Sequence, residues 1–337
     1  MSTPTLTSPD TKPSATSDKT LRGPRWALLR IHRTALRAAL AFVVLAAAVT
    51  GFLRWAASAF PMKEIGCSRG GPCSETFLGF ASAETLLTEY MKNGSTAVLL
   101  LPLLVGAFIA GPVVGRELES GLHRLAWTQS VSPARWLASK LAVAATLAVA
   151  GTLALMGIFR LGVSGLLGQS DLHWPDRGVY EALGPALVAY VLLAVAVGAL
   201  IGLLVRRTLL AMSITGVVTG AVLLVLGNVR WNLIPSLTVT GPRTSEPFGG
   251  MQVPVDSFMT DIGEQNAAGE RFDLHRCVPD QISTGFCPTD LKATNWYVDF
   301  HPYSHFWYVQ LIETGIVLAL TAAATYAAFR VLRRSTA

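Results

Sequence analysis

Six stretches of this sequence run about twenty residues or more almost without charge, and polar or basic segments separate them. They lie at 38–60, 95–115, 141–163, 182–205, 208–229 and 307–329. A helix needs roughly 20 apolar residues to cross a hydrocarbon layer about 30 Å thick. The runs are continuously apolar and do not alternate, so helices are predicted and barrel strands are not. The pattern therefore predicts an all-α integral membrane fold of six spans. It is preceded by a disordered tail over 1–23, and residues 24–337 form the membrane domain.

Composition agrees with lipid as the solvent. Charged residues make up 14% of the chain, where a soluble domain carries about 25%. Charge placement then orients the spans. With the N-terminus in the cytoplasm, the tail, the 116–140 segment, Arg206-Arg207 and the C-terminal end hold 16 of the 27 Lys+Arg but 4 of the 21 Asp+Glu. By the positive-inside rule this puts both termini in the cytoplasm. The net charge of +6 is thus a topology signal, and no soluble basic face for nucleic acid is visible. All eight Trp fall at or beyond span ends, where an amphipathic ring sits at the lipid interface.

The polar segments are predicted in turn. Trp26, Leu28, Leu29 and Ile31 mix with Arg25, Arg30, Arg33 and Arg37, which reads as a basic surface helix or as a plain flanking anchor. Ser82 caps a short helix over 82–92 that Asn93-Gly94 ends. Pro102, Gly106, Gly111, Pro112 and Gly115 give the second span kinks and close helix approach. Only Arg206-Arg207 separates the fourth and fifth spans, so these form a tight hairpin, with Gly198/Gly202 and Gly216/Gly220 as packing surfaces.

The 230–306 segment is too long to be structureless. It is predicted to form a small folded extracellular cap, with Asn232–Thr240 prolonging the fifth helix or dipping into the interface. Cys67 and Cys73 lie in the first outer loop and Cys277 and Cys287 in this one. An even number on the oxidising side predicts two disulfides, with three connectivities open.

Motifs for enzyme chemistry are missing: there is no phosphate loop, no H-E-x-x-H, no G-x-S-x-G and no dinucleotide fingerprint. His301 and His305 stand at helical spacing, as an interfacial pair or as metal ligands. Glu313 lies two turns into the last span beside Gln310 and Thr314, a polar stripe that lipid would not tolerate. It reads as a contact to another helix or the cap, or as the lining of a transport path.

The segment after Gly115 carries Arg116, Glu117, Glu119, Gly121, His123 and Arg124 on a helical extension of the second span. Ser132-Pro133 then starts the third. This reads as a helix–turn–helix shelf able to transmit movement, or as an ordinary solvated loop. The run GRELESGLHRLAWTQSVSPARWLASKL resembles the cytoplasmic segment of permeases of the ABC type-2 transporter family, especially its actinobacterial branch. HPYSHFWYVQLIETGIVLAL is similar to the last span of that branch, and Trp26 to Arg33 fits its N-terminal helix. Leu122 departs from the Thr usual there.

The resemblance implies a six-span permease without its own ATPase domain, in a homodimer or heterodimer with a second permease subunit. Two copies of a separate ABC ATPase subunit would bind ATP and magnesium, and the permease would bind no cofactor or metal itself. The six residues from Arg116 to Arg124 would form or support the coupling element. The expected activity is export of a hydrophobic or amphipathic substrate across the plasma membrane. A sensor or scaffold with a ligand-binding outer loop is the alternative.

Overall fold

The computed structural model describes residues 33–60, 77–121, 132–168, 172–243, 253–254, 256–273 and 291–336. The chain divides into two compact units, Met1–Leu40 and Ala41–Ala337. The packing below is that of the second.

Among the described residues, six helices are long and apolar enough to cross a membrane. They belong to α1 (Arg33–Ala59), α3 (Leu101–Glu119), α4 (Pro133–Val163), α6 (Ala186–Val205), α7 (Thr208–Val229) and α8 (His305–Thr336). Two shorter helices, α2 (Ala83–Leu99) and α5 (Val179–Leu183), precede the second and fourth spans. Helix α6 is apolar around its whole circumference and buries fifteen of its twenty residues. It is accordingly the centre of the bundle, packed against α8, α3, α7 and α4.

Helix ends follow their local chemistry. Ser82 accepts a hydrogen bond from the Thr85 amide at 3.0 Å and caps α2 as its sequence requires. Asn93-Gly94 does not end that helix. The Asn93 side chain donates back to the Glu89 carbonyl at 2.8 Å, and α2 continues to Leu99. The second span therefore starts at Leu101, later than the apolar run that begins at 95. Pro102 occupies the first turn of α3, where its missing N–H breaks no bond. A π-helical turn, Val105–Ala110, precedes Pro112, with the Gly111 amide bonded to the Gly106 carbonyl. Such a wide turn absorbs the donor that proline withholds. Ser132 caps α4 through the Arg135 amide at 3.4 Å. The α6–α7 hairpin turns on Arg206 in the left-handed conformation and Arg207 extended.

The all-α expectation is corrected by a four-stranded antiparallel sheet in the segment between α7 and α8. Its strands are β1 (Leu237–Pro242), β2 (Phe258–Asn266), β3 (Arg271–Asp273) and β4 (Ala293–His301), in the order β1-β4-β2-β3. The fifth helix is not prolonged through Asn232–Thr240: a 3₁₀ turn, Arg230–Asn232, ends it and β1 follows. The physical reason is alternation. Trp296, Val298 and Phe300 in β4 point to one side and pack with Val239 and Ile262, and Val298 is in register with both. Pro242 is tolerated because β1 is an edge. The sheet rests on an aromatic floor of Trp174, Tyr180, Phe306, Trp231 and Phe258. The Trp174 indole donates to the Asp256 carbonyl at 2.6 Å. Only three residues join β4 to α8, so sheet and last span share a rigid connection. Cys67, Cys73, Cys277 and Cys287 lie outside the described residues.

Candidate functional site

Polar side chains gather at both ends of the bundle. On the face that holds the α6–α7 hairpin, the last turn of α3 carries Arg116, Glu117 and Glu119. Glu117 faces α4: one carboxylate oxygen accepts from Lys140 Nζ at 2.5 Å and the other from Trp136 Nε1 at 3.1 Å. Trp136 and Lys140 stand four residues apart, so one face of α4 presents both. Glu119 faces α7, accepting from the Thr208 amide at 2.9 Å and the Thr208 hydroxyl at 2.5 Å. The α7 N-cap, Arg207, provides no side-chain acceptor. A carboxylate from another helix thus fills the cap and meets the positive end of the α7 dipole.

Small residues permit this approach. A Cβ on Gly198 would lie 2.5 Å from the Ala110 Cβ, and one on Gly111 would lie 3.2 Å from the Met212 Cα. Arg116 is exposed. Gly121 ends the described part of the segment at φ +72°, a conformation that favours glycine. His123 and Arg124 lie outside the described residues. The structure thus brings Glu117 and Glu119 to two different neighbouring helices. Their partners Trp136, Lys140 and Thr208 escaped sequence reasoning, although the four-residue Trp–Lys spacing at the start of α4 was a usable signal.

At the opposite end, beneath the sheet, a second cluster is fully removed from water. Arg230, Glu181 and Glu313 are 1%, 2% and 0% exposed. Arg230 Nη2 lies 2.5 Å from Glu181 and 3.1 Å from Glu313, and its guanidinium sits 4.0 Å over the Tyr180 ring. Tyr190 donates its hydroxyl to Glu313 at 2.6 Å, and the Gly178 amide donates to Glu181 at 2.6 Å. Gln310 repairs the chain break at Gly184-Pro185: it accepts from the Ala186 amide at 3.1 Å and donates to the Tyr180 carbonyl at 2.7 Å. It fits only because Gly184 has no side chain, since a Cβ there would lie 2.0 Å from the Gln310 amide carbon. Glu313 and Gln310 therefore join α8 to α5, α6 and α7. Arg230 and Glu181 were unforeseen because each sits just beyond a span, where a charge is ordinary.

A family model described as ABC-2 membrane transporter related matches residues 38–230, more than half of the chain. The chain belongs to that family. The match includes the first five spans, the α3 end with Glu117 and Glu119, and both Glu181 and Arg230, while the sheet and α8 lie beyond it. Neither the curated proteins nor the solved structures offer a match. As an ABC-2 family member with six candidate spans among the described residues, the protein is a multi-pass membrane permease of an ABC transporter, a family whose permeases usually pair with an ABC ATPase.

In this ABC-2 permease the remaining histidine pair lies at the base of the sheet. His301 and His305 approach Nδ1 to Nδ1 at 3.0 Å, a hydrogen bond between two rings. Burial, and then neighbouring His305, hold the His301 imidazole below the ordinary histidine range, against a bond to the Trp231 backbone that raises it. Among the described residues, no group of three or more His, Cys, Asp or Glu is placed to hold a metal.

Proposed function

We propose that the chain is the permease subunit of an ATP-driven exporter of a hydrophobic or amphipathic substrate in the plasma membrane. Both termini and the α6–α7 hairpin face the cytoplasm, the segment that carries the sheet forms an extracellular cap, and Cys67 and Cys73 lie in the first outer loop on the same side as Cys277 and Cys287. Two permease subunits pair with two copies of a separate ABC ATPase, which bind ATP and magnesium. Closure of the ATPases pushes on the 116–140 segment. Arg116, Glu117, Glu119, Gly121, His123 and Arg124 form or support the contact. The charge bias of the sequence supports the orientation.

One observation carries the coupling step: the α3 end is tied through Glu117 to α4 and through Glu119 to α7. A push on that end is therefore delivered to three spans together, and α7 returns it through the hairpin to the central α6. Glu117 and Glu119 are positioning residues on this reading, and Arg116 is the exposed side chain offered to the partner.

The test uses the complete transporter in proteoliposomes. Glu117→Ala with Glu119→Ala reduces substrate-stimulated ATP hydrolysis while the permease still inserts and retains its ATPase. Arg116→Ala weakens retention of the ATPase. Unchanged stimulation in the double variant refutes the coupling role. Labelling of a cysteine placed at Arg124 by an impermeant reagent outside intact cells would invert the topology.

A further inference from the structure

A cleft of about 600 Å³ opens between α4, α6 and α8. Arg160, Gly184 and Trp307 stand at its sheet-side end, and Leu153, Leu192 and Leu318 line it deeper in the bundle. At about 1.5 Å per helical residue, Arg160 to Leu153 covers roughly 10 Å and Trp307 to Leu318 roughly 16 Å. That is the depth of one leaflet, half of a hydrocarbon layer about 30 Å thick. Leu153, Trp307 and Leu318 are exposed on the outside of the bundle, so the cleft opens sideways to lipid.

The two ends differ in charge. Arg160 is exposed and donates through Nη2 to the Leu183 carbonyl at the end of α5. This bond anchors the guanidinium at the mouth. Among the described residues no carboxylate forms an ion pair with it. The deeper walls are apolar apart from Thr314, whose hydroxyl is buried without a partner. Trp307 sits at the height where indole rings mark the lipid interface.

We propose that this cleft binds one anionic phospholipid from the sheet-side leaflet, with an acyl chain between α4, α6 and α8 and its phosphate on Arg160. The depth selects a chain of one leaflet, and the single cation at the interfacial end selects an anionic headgroup over a zwitterionic one. The inference rests on the six spans and not on export, so its failure leaves the transport reading untouched.

Full-length protein in phosphatidylcholine nanodiscs is irradiated with phosphatidylglycerol or phosphatidylcholine bearing a photoreactive acyl chain, and labelled peptides are mapped. Peptides of α4, α6 and α8 that line the cleft are labelled several-fold more by the phosphatidylglycerol probe. Arg160→Gln removes that preference and Arg160→Lys keeps it. Gly157→Leu lowers labelling by both probes; its Cβ meets nothing within 4 Å, so the leucine fills the cleft without disturbing the bundle. Should Arg160→Gln fail to fold, the comparison of headgroups on the wild-type protein decides. Equal labelling by the two probes overturns the proposal, and so does a preference that survives in Arg160→Gln. Unlabelled cleft peptides would mean that a second copy of the chain covers the cleft. Displacement of the probe by inorganic phosphate would mean that Arg160 binds a free anion.

Discussion

Replacing Arg230 by methionine removes the one cation that, among the described residues, touches two carboxylates that are 2% and 0% exposed. The methionine keeps the apolar stem but leaves Glu181 and Glu313 turned toward the same vacated point. Removing one partner of a buried ion pair destabilises by about 3–5 kcal/mol, because the remaining charge stays desolvated and unpaired. The lost stack on Tyr180, at 4.0 Å, adds about 1–2 kcal/mol. At ~2–4 °C per kcal/mol for a chain of a few hundred residues or somewhat fewer, the melting temperature falls by about 10 °C or more. The assay is thermal unfolding of the detergent-purified protein at one fixed heating rate, since membrane proteins of this size unfold irreversibly. A charge-free triple variant, Arg230→Met with Glu181→Gln and Glu313→Gln, recovers most of the loss, because no charge is left buried and glutamine still accepts the Gly178 amide and Tyr190 hydroxyl. An Arg230→Met protein melting within about 2 °C of wild type, less than the shift for one kcal/mol, refutes the premise that these three groups are charged and mutually dependent.

Three further outcomes follow from the same packing. Gly198→Leu forces α6 from α3, where even a Cβ would meet Ala110 at 2.5 Å, and costs about 1–3 kcal/mol or more; fluorescence-detected gel filtration shows it as loss of the folded peak. Gly157→Ala, with nothing within 4 Å, gains about 0.5–1 kcal/mol of helix stability, and a lower melting temperature would contradict this. His301 is held below its ordinary value, so the unfolded sheet binds a proton more readily than the folded one. Its contribution is complete above the unfolded value of about 6.5 and is lost as pH falls below it. Hydrogen exchange in β4, corrected for intrinsic rates, is then less protected at about pH 5.5 than at about pH 7.5, and His301→Phe flattens that difference.

Certain features were legible because they depend on neighbours in sequence. Ser82 and Ser132 cap the helices they precede, as a hydroxyl before a helix start does in any context. The Arg206-Arg207 hairpin was fixed by the absence of any longer polar segment. Other features were misread where local signals competed. Asn93-Gly94 resembles a helix stop, yet the Asn93 side chain bonds back to Glu89 and the helix runs on. The sheet was missed because β1 is short and its partner β4 lies more than fifty residues away in sequence. Alternation in Trp296, Val298 and Phe300 was present but was read as part of an unclassified cap.

By itself, the sequence determined the number of spans, since the cost of placing backbone and charge in lipid depends on each segment alone. It also marked Gln310 and Glu313 as polar groups needing partners, and Glu117 and Glu119 as charges on an extension of the second span. Only the tertiary structure decided what these four groups meet: Lys140 and Trp136, Thr208, Tyr180 and Ala186, and Arg230 and Tyr190, up to 130 residues away in sequence. A lone charge states its electrostatic demand locally, but the group that meets it is chosen by helix packing, which small residues such as Gly198 and Gly184 allow and which no local pattern encodes.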